Sequence, residues 1–92
     1  MYSEEEIQEA IFEVGTRRKK RLDPIEIAKR LKAAIKLYGS VSEVAKRACV
    51  SSKQIRDFLR LLELPDTVQK LMKEGKIGID AGARLASKYL SS

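Results

Sequence analysis

With 92 residues the chain is long enough for one domain with a modest core and too short for two. Its 43% hydrophobic and 35% charged residues describe a soluble globular protein, and no apolar run approaches the ~20 residues that crossing a membrane takes. A net charge of +6, no histidine and a single cysteine exclude an internal disulfide, a Cys/His zinc site and the His-dependent triads, and they point to a polyanionic partner.

The charge is unevenly spread. Residues 1–16 carry five glutamates and no base, a net −5. Residues 17–60 carry fourteen bases against four acids, a net +10, and residues 61–92 are close to balance at +1. The opening MYSEEEIQEA is acidic where a secretory leader is basic and then apolar, so a cytoplasmic, nucleoid-associated location is expected.

Taken in order, the segments read as helices, and the expected fold is all-α, a compact bundle of about five to six helices. Ser3 and Glu6 form an S-x-x-E capping box, and Ile7, Ala10, Ile11 and Val14 follow at helical spacing up to a stop at Gly15. The run Arg17, Arg18, Lys19, Lys20, Arg21 connects to the next helix. That helix opens with Asp23 as cap, Pro24 at its first position and Glu26 closing the box. Ile27, Ala28, Leu31, Ala34, Ile35 and Tyr38 form its apolar stripe, Lys29, Lys32 and Lys36 lie opposite, and Gly39 stops it.

Ser40 with Glu43 makes a capping box for a helix near 41–48, and Ser51 with Gln54 makes another for a helix near 52–63. Pro65 separates the latter from DTVQKLMKEG, where Val68, Leu71 and Met72 are expected to point inward and Gly75 ends the turn. IDAGARLASKYL reads as a last helix, in which Ala81, Gly82, Ala83 and Ala86 allow close packing. The expected organisation is an acidic helix and basic connector over 1–22, followed by a helix-turn-helix domain over 23–92.

The pair 41–63 carries the functional signal. Counting a helix-turn-helix from Val41 puts Ala45 at the close crossing and Val44, Ala48, Val50, Ile55 and Phe58 on buried positions. Cys49 falls at the corner, where a left-handed backbone costs a non-glycine residue on the order of 1 kcal/mol. Ser52, Lys53, Arg56, Asp57 and Arg60 share the outer face of the second helix, which is the face that a recognition helix turns to base edges and phosphates. Lys53 and Arg56 have the donors for guanine O6 and N7. Ser51, Ser52 and the helix N-terminus suit a phosphate, as do Ser42 and Lys46 on the first helix. Gln54 divides between its cap and a DNA contact, and Asp57 either accepts from cytosine or pairs with Lys53 one turn earlier, the pairing being favoured. Arg17–Arg21 could track a phosphate strand or enter a minor groove.

From residue 22 onward the order of motifs resembles the helical DNA-binding domain of ParB-type partition proteins, including the KorB group. The resemblance rests on LDPIEIAKRLK (22–32), on SVSEVAKRACVSSKQIRDFLRLLELPDTVQKLMKEGKI (40–77) and on the small-residue helix after it, about 55 residues in all. FLRLLELP (58–65) follows the family's LLRLLxLP, and Glu74-Gly75-Lys76 its EGK turn. The resemblance implies an all-helical domain on a double-stranded DNA site, commonly an inverted repeat read by a homodimer. It supports Ser51, Ser52, Lys53 and Arg56 as contacts, and it implies a role in plasmid or chromosome partition, with a partition ATPase as partner, or in repression. The family's GERR motif is not found and DAGA (80–83) stands where GHAR is usual, so nucleotide binding is not carried over and no cofactor is expected.

The expected function is therefore sequence-specific DNA binding by a non-enzyme. Its rivals are a protein–protein adaptor for an acidic partner and non-specific, chromatin-like DNA binding.

Overall fold

The computed structural model describes residues 2–16 and 22–90, the latter by backbone alone at 79, 83, 86, 87, 89 and 90. Among them lie six α-helices and no strand: α1 (Glu4–Gly15), α2 (Pro24–Tyr38), α3 (Val41–Ala48), α4 (Ser52–Arg60), α5 (Asp66–Lys73) and α6 (Ile79–Leu90), with a 3-10 turn over Leu61–Glu63. A radius of gyration of 12.5 Å matches the ~12 Å of a compact domain this long, so the all-α bundle read from the sequence holds.

The caps set these boundaries. Ser3, Asp23, Ser40 and Ser51 each accept a hydrogen bond from the backbone N–H three residues on, with Ser3 in a complete capping box with Glu6. The boxes expected at Asp23, Ser40 and Ser51 are not completed, because their third-position side chains turn to different partners. Glu26 accepts from the Tyr2 hydroxyl at 3.0 Å, Glu43 pairs with Arg47 at 3.5 Å, and Gln54 donates to the Val14 carbonyl oxygen at 3.5 Å. Helix α4 is shorter than the expected 52–63. Leu64 precedes Pro65 and is extended (φ −73°, ψ 152°), so the chain tightens into the 3-10 turn before it. The Gln69 side chain then donates to the Leu62 and Leu64 carbonyls at 3.2 and 2.9 Å, fixing that exit.

Helix α2 is the centre of the bundle, packed by α1, α3, α4 and α5. Ile25, Ile27, Ala28, Leu31 and Ala34 are fully buried, whereas Ile35 and Tyr38 are half-buried. Burial on more than one side explains Ile25, which lies off the single stripe expected for a surface helix. Leu71, expected to point inward, is exposed; Met72 is buried and Val68 packs half-buried against the core, so these two carry the inward face of α5. In α6, Gly82 sits against Met72 and Leu61, while Ala81 is exposed and Ala83 and Ala86 lie outside the described side chains.

The acidic helix α1 is part of the core through Ile7, Ala10, Ile11 and Val14. Arg30 of α2 ties it down: Nη1 donates to the Glu6 carbonyl at 3.2 Å and reaches Glu9 at 3.4 Å, while its guanidinium lies 5.5 Å from the centroid of the Tyr2 ring. Gly15 is the last helical residue, followed by an extended Thr16, and its bareness serves packing: a Cβ there would stand 2.4 Å from the Ala48 carbonyl oxygen. Helix propensity alone predicts that Gly15→Ala gains about 0.5–1 kcal/mol. A backbone carbonyl cannot swing aside, so the expected result is instead a net loss of about 1–3 kcal/mol from overpacking. Urea unfolding of the variant reads the sign directly.

Candidate nucleic-acid interface

Helices α3 and α4 meet at a corner built on Cys49, which is left-handed at φ 58°, ψ 40°. Its N–H bonds to the Lys46 carbonyl at 3.2 Å, and Val50 N–H bonds to the Ala45 carbonyl at 3.0 Å. These two bonds are the Schellman closure that satisfies the end of α3. They offset the cost of a side chain at positive φ, which is why the corner forms without glycine. Val44, Ala45 and Ala48 of α3 and Ile55 and Phe58 of α4 are buried as the helix-turn-helix count requires; Val50 is half-buried.

This packing leaves the opposite side of α4 in solvent. Lys53, Arg56 and Arg60 are exposed, and Ser52 is half-buried at the first turn. Asp57 links two of the cations: Lys53 Nζ lies 2.9 Å from one carboxylate oxygen and Arg60 Nη1 lies 3.7 Å from the other. The Lys53 pairing is the expected one. Arg56 has no ion pair among the described residues.

Ser51 is exposed, and its oxygen accepts from the Gln54 N–H at 3.2 Å, leaving its proton free to donate. Gln54 is exposed, but its amide nitrogen is turned toward α1 through Val14. Ser42 and Lys46 are exposed one turn apart on α3. Arg17, Arg18, Lys19, Lys20 and Arg21 lie outside the described residues. Arg47, which the sequence reading passed over, stacks 3.9 Å from the Tyr38 ring centroid and so serves packing.

The model of the ParB HTH domain matches residues 20–88. The chain belongs to the ParB HTH domain family. No curated protein and no solved structure matches it. A ParB HTH domain is a DNA-binding module of partition-type proteins, and the match takes in α2 to α5 entire with most of α6. No helix among the described residues is long and apolar enough to cross a membrane.

The two flanks of α4 in this ParB HTH domain differ in charge. On the α6 side, Ser51, Lys53, Asp57 and Asp80 line a groove floored by Phe58. On the α2 side, Arg56 and Arg60 share a groove with Lys32 and Lys36. Helical periodicity puts those lysines away from the apolar stripe of α2, but their place beside α4 depends on how the two helices cross.

Asp57 is the one acid on the outer face of α4. A unit charge about 7 Å from a phosphate in water is worth about 0.6 kcal/mol. Asp57→Asn is therefore expected to tighten binding to random duplex about threefold, with stability changed by less than about 1 kcal/mol. Fluorescence anisotropy on a labelled duplex, with a thermal melt of the same sample, checks both.

Proposed function

We propose that this ParB HTH domain binds a specific double-stranded DNA site, with α4 as the recognition helix in the major groove. The observation that carries the reading is the division of α4 itself. One side is locked into the core by Ile55 and Phe58, and the other offers Lys53, Arg56 and Arg60 to solvent. Lys53 and Arg56 read base edges, with guanine O6 and N7 as the acceptors their donors fit. Arg60, Ser42, Lys46 and the Ser51–Ser52 turn hold phosphates, and Arg17–Arg21 add a tethered basic segment to the same duplex. Gln54 is the weakest member of the set, because its amide supports α1.

The site is an inverted repeat bound by two copies, with half-sites one helical turn, about 34–36 Å, apart. Partition of a plasmid or chromosome, with a partition ATPase as partner, is the role that family membership favours; repression from the same site is the second. About six neutralised phosphates give a slope of log K on log salt near −5, or about a thousandfold loss between 50 and 200 mM salt.

Selecting bound duplexes from a random pool, then measuring their affinity across that salt range, tests the reading. An enriched palindrome with a steep slope supports it. A steep slope without enrichment would mean chromatin-like binding, and no binding at low salt would leave the adaptor role for an acidic protein.

A further inference from the structure

The groove between α2 and α4 holds more positive charge than the fold uses. Lys32 and Lys36 stand one turn apart on α2, Arg56 and Arg60 one turn apart on α4, and all four line the same groove of about 560 Å³. Like charges at this spacing repel along each helix, and here two such rows face each other. Glu63 is the one carboxylate in the lining. Lys32, Lys36 and Arg56 have no ion pair among the described residues. The floor, Ile35, Leu59 and Leu62, has no polar side chain to solvate the cations. Five of the chain's thirteen acids are instead placed in residues 1–16.

We infer that Lys32 and Lys36 form a phosphate ledge, holding the DNA strand that runs beside the recognition helix on its α2 flank. This rests on the reading of α4 as that helix. Packed helices lie about 8–10 Å apart axis to axis, and the major groove is about 12 Å wide. A helix seated in the groove therefore has a phosphate strand to each side at about the distance of its packed neighbour. On the α6 flank that strand would meet two acids, Asp57 and Asp80, and one cation, Lys53; on the α2 flank it meets four cations and one acid, Glu63. DNA fits the ledge better than an acidic protein does, because Arg56 and Arg60 belong both to the groove and to the outer face of α4. One continuous polyanion satisfies both surfaces, whereas a protein in the groove would compete with DNA for the same arginines.

The test is the double variant Lys32→Gln/Lys36→Gln in the full chain, compared with wild type on a selected site and on a scrambled duplex from 50 to 200 mM salt. Two lost phosphate contacts should make the slope of log K on log salt shallower by about 1.8. The salt-induced loss of affinity over that range then shrinks from about a thousandfold to about a hundredfold, equally on both duplexes. The preference between them stays as in wild type, and the melting temperature is held or raised. A wild-type slope in the variant would overturn the ledge. So would poly-glutamate that binds wild type but not the variant while the duplex slope is unchanged, which would give the groove to an acidic protein. If wild type keeps its preference and Lys53→Ala/Arg56→Ala loses it, a failed ledge leaves the recognition reading standing. If wild type binds no duplex, both fall together.

Discussion

The Lys53→Ala/Arg56→Ala double variant is expected to lose most of its preference for the selected site over scrambled DNA while remaining folded. Each good pairing with a base edge discriminates by about 1–3 kcal/mol, so two together are worth on the order of a hundredfold in the specificity ratio. Binding to scrambled DNA should fall less, because there the variant forfeits two electrostatic contacts and no base readout. The two residues are not equivalent. Lys53 must exchange its Asp57 partner, 2.9 Å away, for DNA, which offsets part of its gain. Arg56 has no ion pair to give up among the described residues and carries a planar fork suited to two acceptors, so Arg56→Ala alone should account for the larger share. Stability should move by no more than about 0.5 kcal/mol, since both side chains are exposed and the helix is anchored from its other side. The readout is the pair of dissociation constants, selected and scrambled, for wild type, each single variant and the double variant. Equal losses on both duplexes would assign these residues to phosphates and move base reading elsewhere.

Local signals in the sequence carried most of the fold. The caps at Ser3, Asp23, Ser40 and Ser51 are properties of a few adjacent residues, and each of them forms. The periodicity of α4 separates Ile55 and Phe58 from Lys53 and Arg60 because a helix wheel is fixed once the helix is assigned. What was not legible depends on residues far apart in the chain. The spacing of Gln54 suits a cap or a DNA contact, and its side chain turns instead to a carbonyl forty residues earlier. Glu26 has the spacing to close its own cap, and it binds Tyr2 twenty-four residues away. Gly15 looked like a stop signal, and its real constraint is the carbonyl of Ala48.

The candidate site divides the same way. Its recognition face lies on one helix and can be read from spacing, whereas the ledge needs the crossing of α2 over α4. Charge segregation gave the only advance hint of it. A +10 middle segment beside a −5 opening cannot pair most of its own cations. Helix α1 nonetheless has its place in the fold: it adds Ile7, Ala10, Ile11 and Val14 to the core and uses Glu9 on Arg30.

The largest loss of stability is expected at Phe58. It is 1% exposed and sits in α4, which packs against α2, α3 and α6 as well as leading into the 3-10 turn. Phe→Ala at such a site removes about 3–5 kcal/mol through lost transfer energy and the cavity left behind. A domain of this size has about 5–15 kcal/mol in total, so Phe58→Ala should be substantially unfolded at 37 °C or melt far below wild type. Phe58 also floors the groove on the α6 flank, where Lys53 and Asp57 stand. The cavity would therefore open toward water and toward the candidate interface, and any residual DNA binding should lose its sequence preference before its salt dependence. Phe58→Leu, which keeps most of the volume, should cost less than about 1.5 kcal/mol and retain site preference. Phe12 supplies the control. It is the other phenylalanine of the chain and is 74% exposed on α1, so Phe12→Ala should change stability by no more than about 0.5 kcal/mol. Chemical unfolding of the three variants, with anisotropy on the selected and scrambled duplexes, decides the matter. A Phe58→Ala protein as stable as Phe12→Ala would mean that α4 is not held in the core by the side chain that this packing requires.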